Sequence, residues 1–154
     1  MKLEWGKKMN EYEIIGILIL LIICSITDIK TKQISLKICI SFLMFGFGWK
    51  IMIEDMSLMD ISLVNICFGT VPGIILYAVS ILSRGGIGKG DAVLMGVIGM
   101  YIGIKNSIIL FVSALLLIAC FSIVLIILKK GNMKTKIPFV PFILIAFIIQ
   151  AGFI

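Results

Sequence analysis

The chain contains no histidine, and only 14% of its residues are charged. Without histidine there is no H-E-x-x-H zinc site, and neither a Ser-His nor a Cys-His catalytic couple. No alanine precedes Ala78, so the apolar run behind Lys2, Lys7 and Lys8 is followed by no A-x-A cleavage site. Ile22-Ile23-Cys24 lacks the small residue that a lipoprotein signal places before its cysteine, and the run reads as a retained first helix. Cysteine is sparse too. Cys24, Cys39, Cys67 and Cys120 all fall inside apolar runs, at spacings unlike a disulfide framework or a metal knuckle, and they read as packing residues. The glycine-rich loop fails both nucleotide fingerprints. Gly90 stands after Lys89 where a P-loop needs Ser or Thr, and Asp91 stands where G-x-G-x-x-G needs its third glycine. Neither a metal nor a cofactor is expected.

What is abundant is apolar residue, 61% of 154 positions. The nearly uncharged runs are 14–27, 38–49, 61–83, 92–104, 107–128 and 137–154. A helix needs about 20 apolar residues to cross about 30 Å of hydrocarbon, and backbone that is not helical cannot face lipid without leaving polar groups unpaired. The sequence therefore predicts an all-α membrane protein, a polytopic bundle of about six transmembrane helices in one domain over residues 1–154.

The net charge of +6 is unevenly spread. The first, third and fifth connections hold nine cations: Lys30, Lys32, Lys37, Arg84, Lys89, Lys129, Lys130, Lys134 and Lys136. Lys2, Lys7, Lys8, Lys50 and Lys105 lie on the other side with Glu4, Glu11, Glu13, Glu54, Asp55 and Asp60. The positive-inside rule places the first set in the cytoplasm and both termini outside, in a multi-pass protein of the cell membrane. The basic residues are orientation signals and imply no nucleic-acid partner.

Two acids remain on the cytoplasmic side, Asp28 at the end of the first predicted helix and Asp91 at the start of the fourth. Each has a plain structural reading: Asp91 as a helix cap, Asp28 as the partner of Lys30 or Lys32. The helix after Asp91 argues for more. Ala92, Gly96, Gly99 and Gly103 share one stripe, and Gly99-x-x-x-Gly103 is a small-x-x-x-small pattern that lets two membrane helices approach closely. The glycines at 85, 86, 88 and 90 are read as a hinge free to take positive φ and aim Asp91 at a neighbour. Two carboxylates held together in a poorly solvated place share a proton near neutral pH. One can then take a proton from water while the other polarises a peptide carbonyl, as in aspartic proteases. A proton-coupled transporter would use the same pair.

Gly88-Lys89-Gly90-Asp91 is a complete G-x-G-D motif. Asp28-x-Lys30-x-x-x-Ile34 stands before it, Gly85-Gly86 just ahead of it, and Ile137-Pro138-Phe139-Val140-Pro141-Phe142 near the end of the chain. In this order and combination the chain resembles the type IV prepilin peptidase family. The resemblance implies a membrane aspartic peptidase that removes the leader of prepilins or pseudopilins on the cytoplasmic face. Asp28 and Asp91 would be catalytic, with Gly86, Gly88, Lys89, Gly90 and Lys30 supporting them. It also implies the short, peptidase-only form, without the cysteine-rich insert and methylation motif of the bifunctional members. Ala92-Val93-Leu94 replaces the usual Val-Lys-Leu, and Ser35-Leu36 the usual Pro-Asn, as in a specialised branch. A presenilin-like protease would carry Tyr-Asp and Pro-Ala-Leu, whereas here Thr27 precedes Asp28 and no Pro-Ala-Leu occurs. The other alternative is a small proton-coupled transporter or a non-enzymatic subunit of a secretion apparatus.

Overall fold

Apolar residues three and four positions apart turn one face of the first helix, α1 (Glu11–Thr31), inward: Ile17, Leu20, Leu21 and Cys24 are buried, and the same face continues to Ser25 and Asp28. The computed structural model describes residues 11–31, 36–53, 59–83, 88–128 and 137–152. Behind α1 come α2 (Leu36–Ile53), α3 (Met59–Leu82), α4 (Lys89–Ile127) and α5 (Val140–Gly152), and no strand occurs among the described residues. α1 and α4 are long and apolar enough to cross a membrane. At 1.5 Å per residue α1 spans about 31 Å.

α1 does not stop at Asp28. It runs on to Thr31, whose hydroxyl bonds back to the carbonyl of Thr27, so Asp28 stands inside the last turn rather than at its end. The carboxylate is thereby fixed to the inward face one turn beyond Cys24.

The predicted runs 92–104 and 107–128 are joined in one element, α4, which is broken at Gly103 (φ 79°, ψ 166°). A straight helix of 39 residues would be about 58 Å long, nearly twice the hydrocarbon thickness. Instead the chain bends sharply. A Cβ on Gly99 would lie 3.1 Å from Ser107 Oγ, whereas residues eight apart in a continuous helix are separated by about 12 Å of rise. Gly103, predicted as the last member of a helical packing stripe, is thus the break itself, with nothing within 4 Å of a Cβ built on it. It is also the residue that takes positive φ among those described.

The segment 89–102 lies at the centre. Ala92, Leu94, Met95, Val97, Ile98, Gly99, Met100 and Ile102 are buried around most of its circumference. Its small-residue stripe meets a second one on α3. A Cβ on Gly73 would strike the backbone of Gly96, and one on Gly69 or Gly99 the opposing glycine's carbonyl oxygen. Gly69-Thr-Val-Pro-Gly73 is itself a small-x-x-x-small pattern, a partner the sequence reading passed over. On the α2 side Gly46 is the notch that takes the Tyr101 ring, whose hydroxyl donates to the Phe42 carbonyl at 3.1 Å. α5 is tied to the second segment of α4 by Gln150, which donates to Ser113 Oγ at 3.1 Å, and by the Phe121–Phe142 ring contact at 5.3 Å. An interhelical polar bond of this kind contributes about 0.6–2 kcal/mol in an apolar bundle. Of the cysteines read as packing residues, Cys24 and Cys39 are buried, whereas Cys67 and Cys120 are exposed.

Candidate active site

The last turn of α1, the first turn of α4 and the first turn of α5 converge at one end of the bundle. Asp28 is 6% exposed there, and its Oδ2 accepts a hydrogen bond from the backbone N–H of Val140 at 3.1 Å. A buried carboxylate without a donor would be costly, and this bond answers that cost from 112 residues away. Of the lysines read as its ion-pair partners, Lys30 is exposed whereas Asp28 faces the core, and Lys32 lies outside the described residues. Lys89 is exposed as well.

Asp91, half-buried, stands in the first turn of α4, and the charge that acts on it is that of Asp28. The two sequence-predicted aspartates, 63 positions apart in the chain, therefore lie near enough for the charge of one to act on the other. Cys24 lies one turn before Asp28 on the same inward face of α1, and Cys39 of α2 is buried as well. The capping interpretation of Asp91 also lapses, because the N-cap of α4 is Gly88 and no side chain caps it.

Of the glycines predicted as a positive-φ hinge ahead of Asp91, Gly88 and Gly90 do not take positive φ, and Gly85 lies outside the described residues. Gly88 has φ −62° and ψ 124°, a conformation open to any residue. What it needs is space: a Cβ there would lie 2.5 Å from Asp91 Oδ2. Gly90 is inside the helix, and Gly86 lies outside the described residues. Among the described residues no group of three His, Cys, Asp or Glu side chains could hold a metal ion.

Val140 is the residue that sequence reasoning missed. Its signal is the pair Pro138 and Pro141, which ends an extended stretch and opens a helix at a fixed place. Phe139 packs its ring on Phe111 at 6.0 Å, anchoring that entry.

Apolar helices, held by backbone-to-backbone glycine crossings, with one buried and one half-buried carboxylate at one end, define a class of helical bundle. Residues 15–154 match the type IV leader peptidase family, and the chain belongs to it. It is similar to the prepilin leader peptidase/N-methyltransferase of Bacillus subtilis (strain 168), with 24% identity over 139 residues. That alignment covers 90% of this chain and 54% of the relative, so the chain spans about half the relative's length. No solved structure matches it.

Proposed function

We propose that this chain is a membrane-embedded aspartic endopeptidase that removes the leader peptide of type IV prepilins or pseudopilins at the cytoplasmic face of the cell membrane. The observation that carries this reading is the approach of Asp28 to Asp91 in a chain of the leader peptidase family. No other acid pair is brought together in the helical core among the described residues.

The chemistry follows from the pair. One carboxylate takes a proton from a water molecule as the water oxygen bonds to the scissile carbonyl carbon, and the other donates its proton toward the carbonyl oxygen. When the tetrahedral intermediate collapses, the C–N bond breaks and a proton passes to the leaving amine. No side-chain nucleophile, metal or cofactor enters these steps. The exposed apolar faces, with Ile15, Ile19, Ile22 and Ile26 along α1, suit lipid contact, and a bilayer would hold the bundle with this end toward the cytoplasm.

Co-expression with a prepilin tests the proposal. Asp28→Asn, Asp91→Asn and the double variant should each leave the prepilin uncut while still inserting in the membrane, since groups acting as a unit fail together. Asp55→Asn and Asp60→Asn should process normally. Cleavage by either single catalytic variant would sink the two-carboxylate mechanism. Proton-coupled uptake with no leader loss from any prepilin would favour the transporter reading.

A further inference from the structure

We propose that the N-terminus of α5 assigns the two carboxylates their separate roles: the Val140 N–H, bonded to Asp28 Oδ2 at 3.1 Å, holds Asp28 as the proton acceptor and leaves Asp91 to present its proton to the scissile carbonyl. This rests on the peptidase reading above and adds a positioning group to it.

The first turn of a helix has backbone N–H groups with no partner inside the helix. In α5 each of them is accounted for. Phe142 and Ile143 donate to the Phe139 carbonyl at 3.0 and 3.3 Å, Pro141 has no N–H, and Val140 donates to Asp28. Phe139 has no oxygen with which to cap the helix, so the cap is supplied across the bundle by Asp28. The arrangement is mutual: the helix end satisfies the carboxylate, and the carboxylate satisfies the helix end.

The bond acts on one oxygen. Oδ2 is engaged by Val140, and Oδ1 is the oxygen left to meet a water molecule. Among the described residues, the groups that act on Asp28 include Cys24 one turn back on α1, Asp91 on α4, and this N–H. Asp91 stands in the first turn of α4, where the helix dipole favours an anion, whereas Asp28 faces the N-terminus of α5 but lies in the last turn of α1, whose dipole acts the other way. Asp91, however, accepts no backbone hydrogen bond like that of Val140 among the described residues. A direct hydrogen bond to a charged acceptor is the stronger, local effect, and the asymmetry falls on Asp28. Val140 is fully buried between Phe139 and Pro141, so the donor is held where it is by packing that owes nothing to the reaction.

The experiment deletes the N–H alone. Val140→Pro removes it while its ring fits the first position of a helix, and an ester linkage at residue 140, introduced with the α-hydroxy analogue of valine, removes it with the side chain intact. Val140→Ala keeps the N–H and loses only volume. Purified wild-type enzyme and the three variants are assayed in detergent on a prepilin that the wild type cuts. Both N–H deletions should lower kcat by about ten- to a hundredfold with KM moved by less than about twofold, and Val140→Ala should fall much less. In infrared difference spectra the carboxylate band that disappears in Asp28→Asn should shift in the ester variant and stay in place in Val140→Ala. An ester variant with wild-type kcat and an unshifted band would overturn the assignment, as would equal loss in Val140→Ala. The peptidase reading stands in both cases if Asp28→Asn is inactive, whereas an active Asp28→Asn removes that reading itself.

Discussion

Ser107 sits against Gly99 across the break at Gly103, close enough that a Cβ on Gly99 would lie 3.1 Å from Ser107 Oγ. The same Cβ would strike the carbonyl oxygen of Gly69 on α3. Gly99 is therefore enclosed by two chain segments, on the helix that starts with Asp91. A larger side chain must push this helix away, and displacing a catalytic group by about 1 Å can cost about a hundredfold in rate. Gly99→Leu should abolish prepilin cleavage at normal levels of inserted protein. Gly16→Leu, at a position with nothing within 4 Å, should cut normally on the same gel.

The α3–α4 crossing is lopsided. A Cβ on Gly73 meets the Gly96 backbone and comes within 2.9 Å of the Ala92 carbonyl oxygen, whereas one on Gly96 finds Gly73 Cα at 3.7 Å, an ordinary contact. Overpacking of this kind costs about 1–3 kcal/mol. Gly73→Ala should lower the melting temperature in detergent clearly more than Gly96→Ala. Equal melting temperatures would show that the two helices separate freely.

Gly88→Ala isolates the site from the fold. The added methyl meets Asp91 Oδ2 at 2.5 Å, and the other neighbours of that Cβ are atoms of the same aspartate. Turnover should fall about tenfold or more while the melting temperature stays near that of the wild type, because a site must be held to about 0.5 Å. Loss of stability in step with turnover would mean that Gly88 supports the helix rather than the carboxylate.

Gly103→Ala measures backbone strain alone. At φ 79° and ψ 166° only glycine is comfortable, and open space around the position leaves no contact to lose. The substitution should cost about 1–3 kcal/mol of stability. Thermal unfolding of the purified protein reads this directly, and an unchanged midpoint would place the break elsewhere.

Sidedness is read by thiol labelling. Because Cys67 and Cys120 are exposed, the native cysteines must first be replaced. On that background a cysteine at Thr31 should resist an impermeant thiol reagent in intact cells, and one at Ser57 should react. Label at Thr31 with Ser57 protected would put the aspartate end of the bundle outside.

The amino-acid sequence by itself determined the all-helical character, the apolar surfaces and the choice of Asp28 and Asp91 as candidates. Each of these is written in local pattern: runs without charge, small residues at offsets of four and three, and a motif of four consecutive residues. Helix formation and lipid compatibility depend on neighbours along the chain, so they can be read along the chain. Local pattern also suggested three things that the tertiary structure decided otherwise. The continuous stripe through Gly103 is broken, because a 39-residue apolar helix bends where glycine permits it. Gly88 is required for the room it leaves beside Asp91 rather than for its φ. Asp28 is one turn inside α1, and its carboxylate accepts the backbone N–H of Val140. The glycine pair on α3 and the Val140 donor were hidden for one reason: a backbone atom carries no mark of its partner, and a contact spanning 112 residues exists only after α1 and α5 have packed side by side.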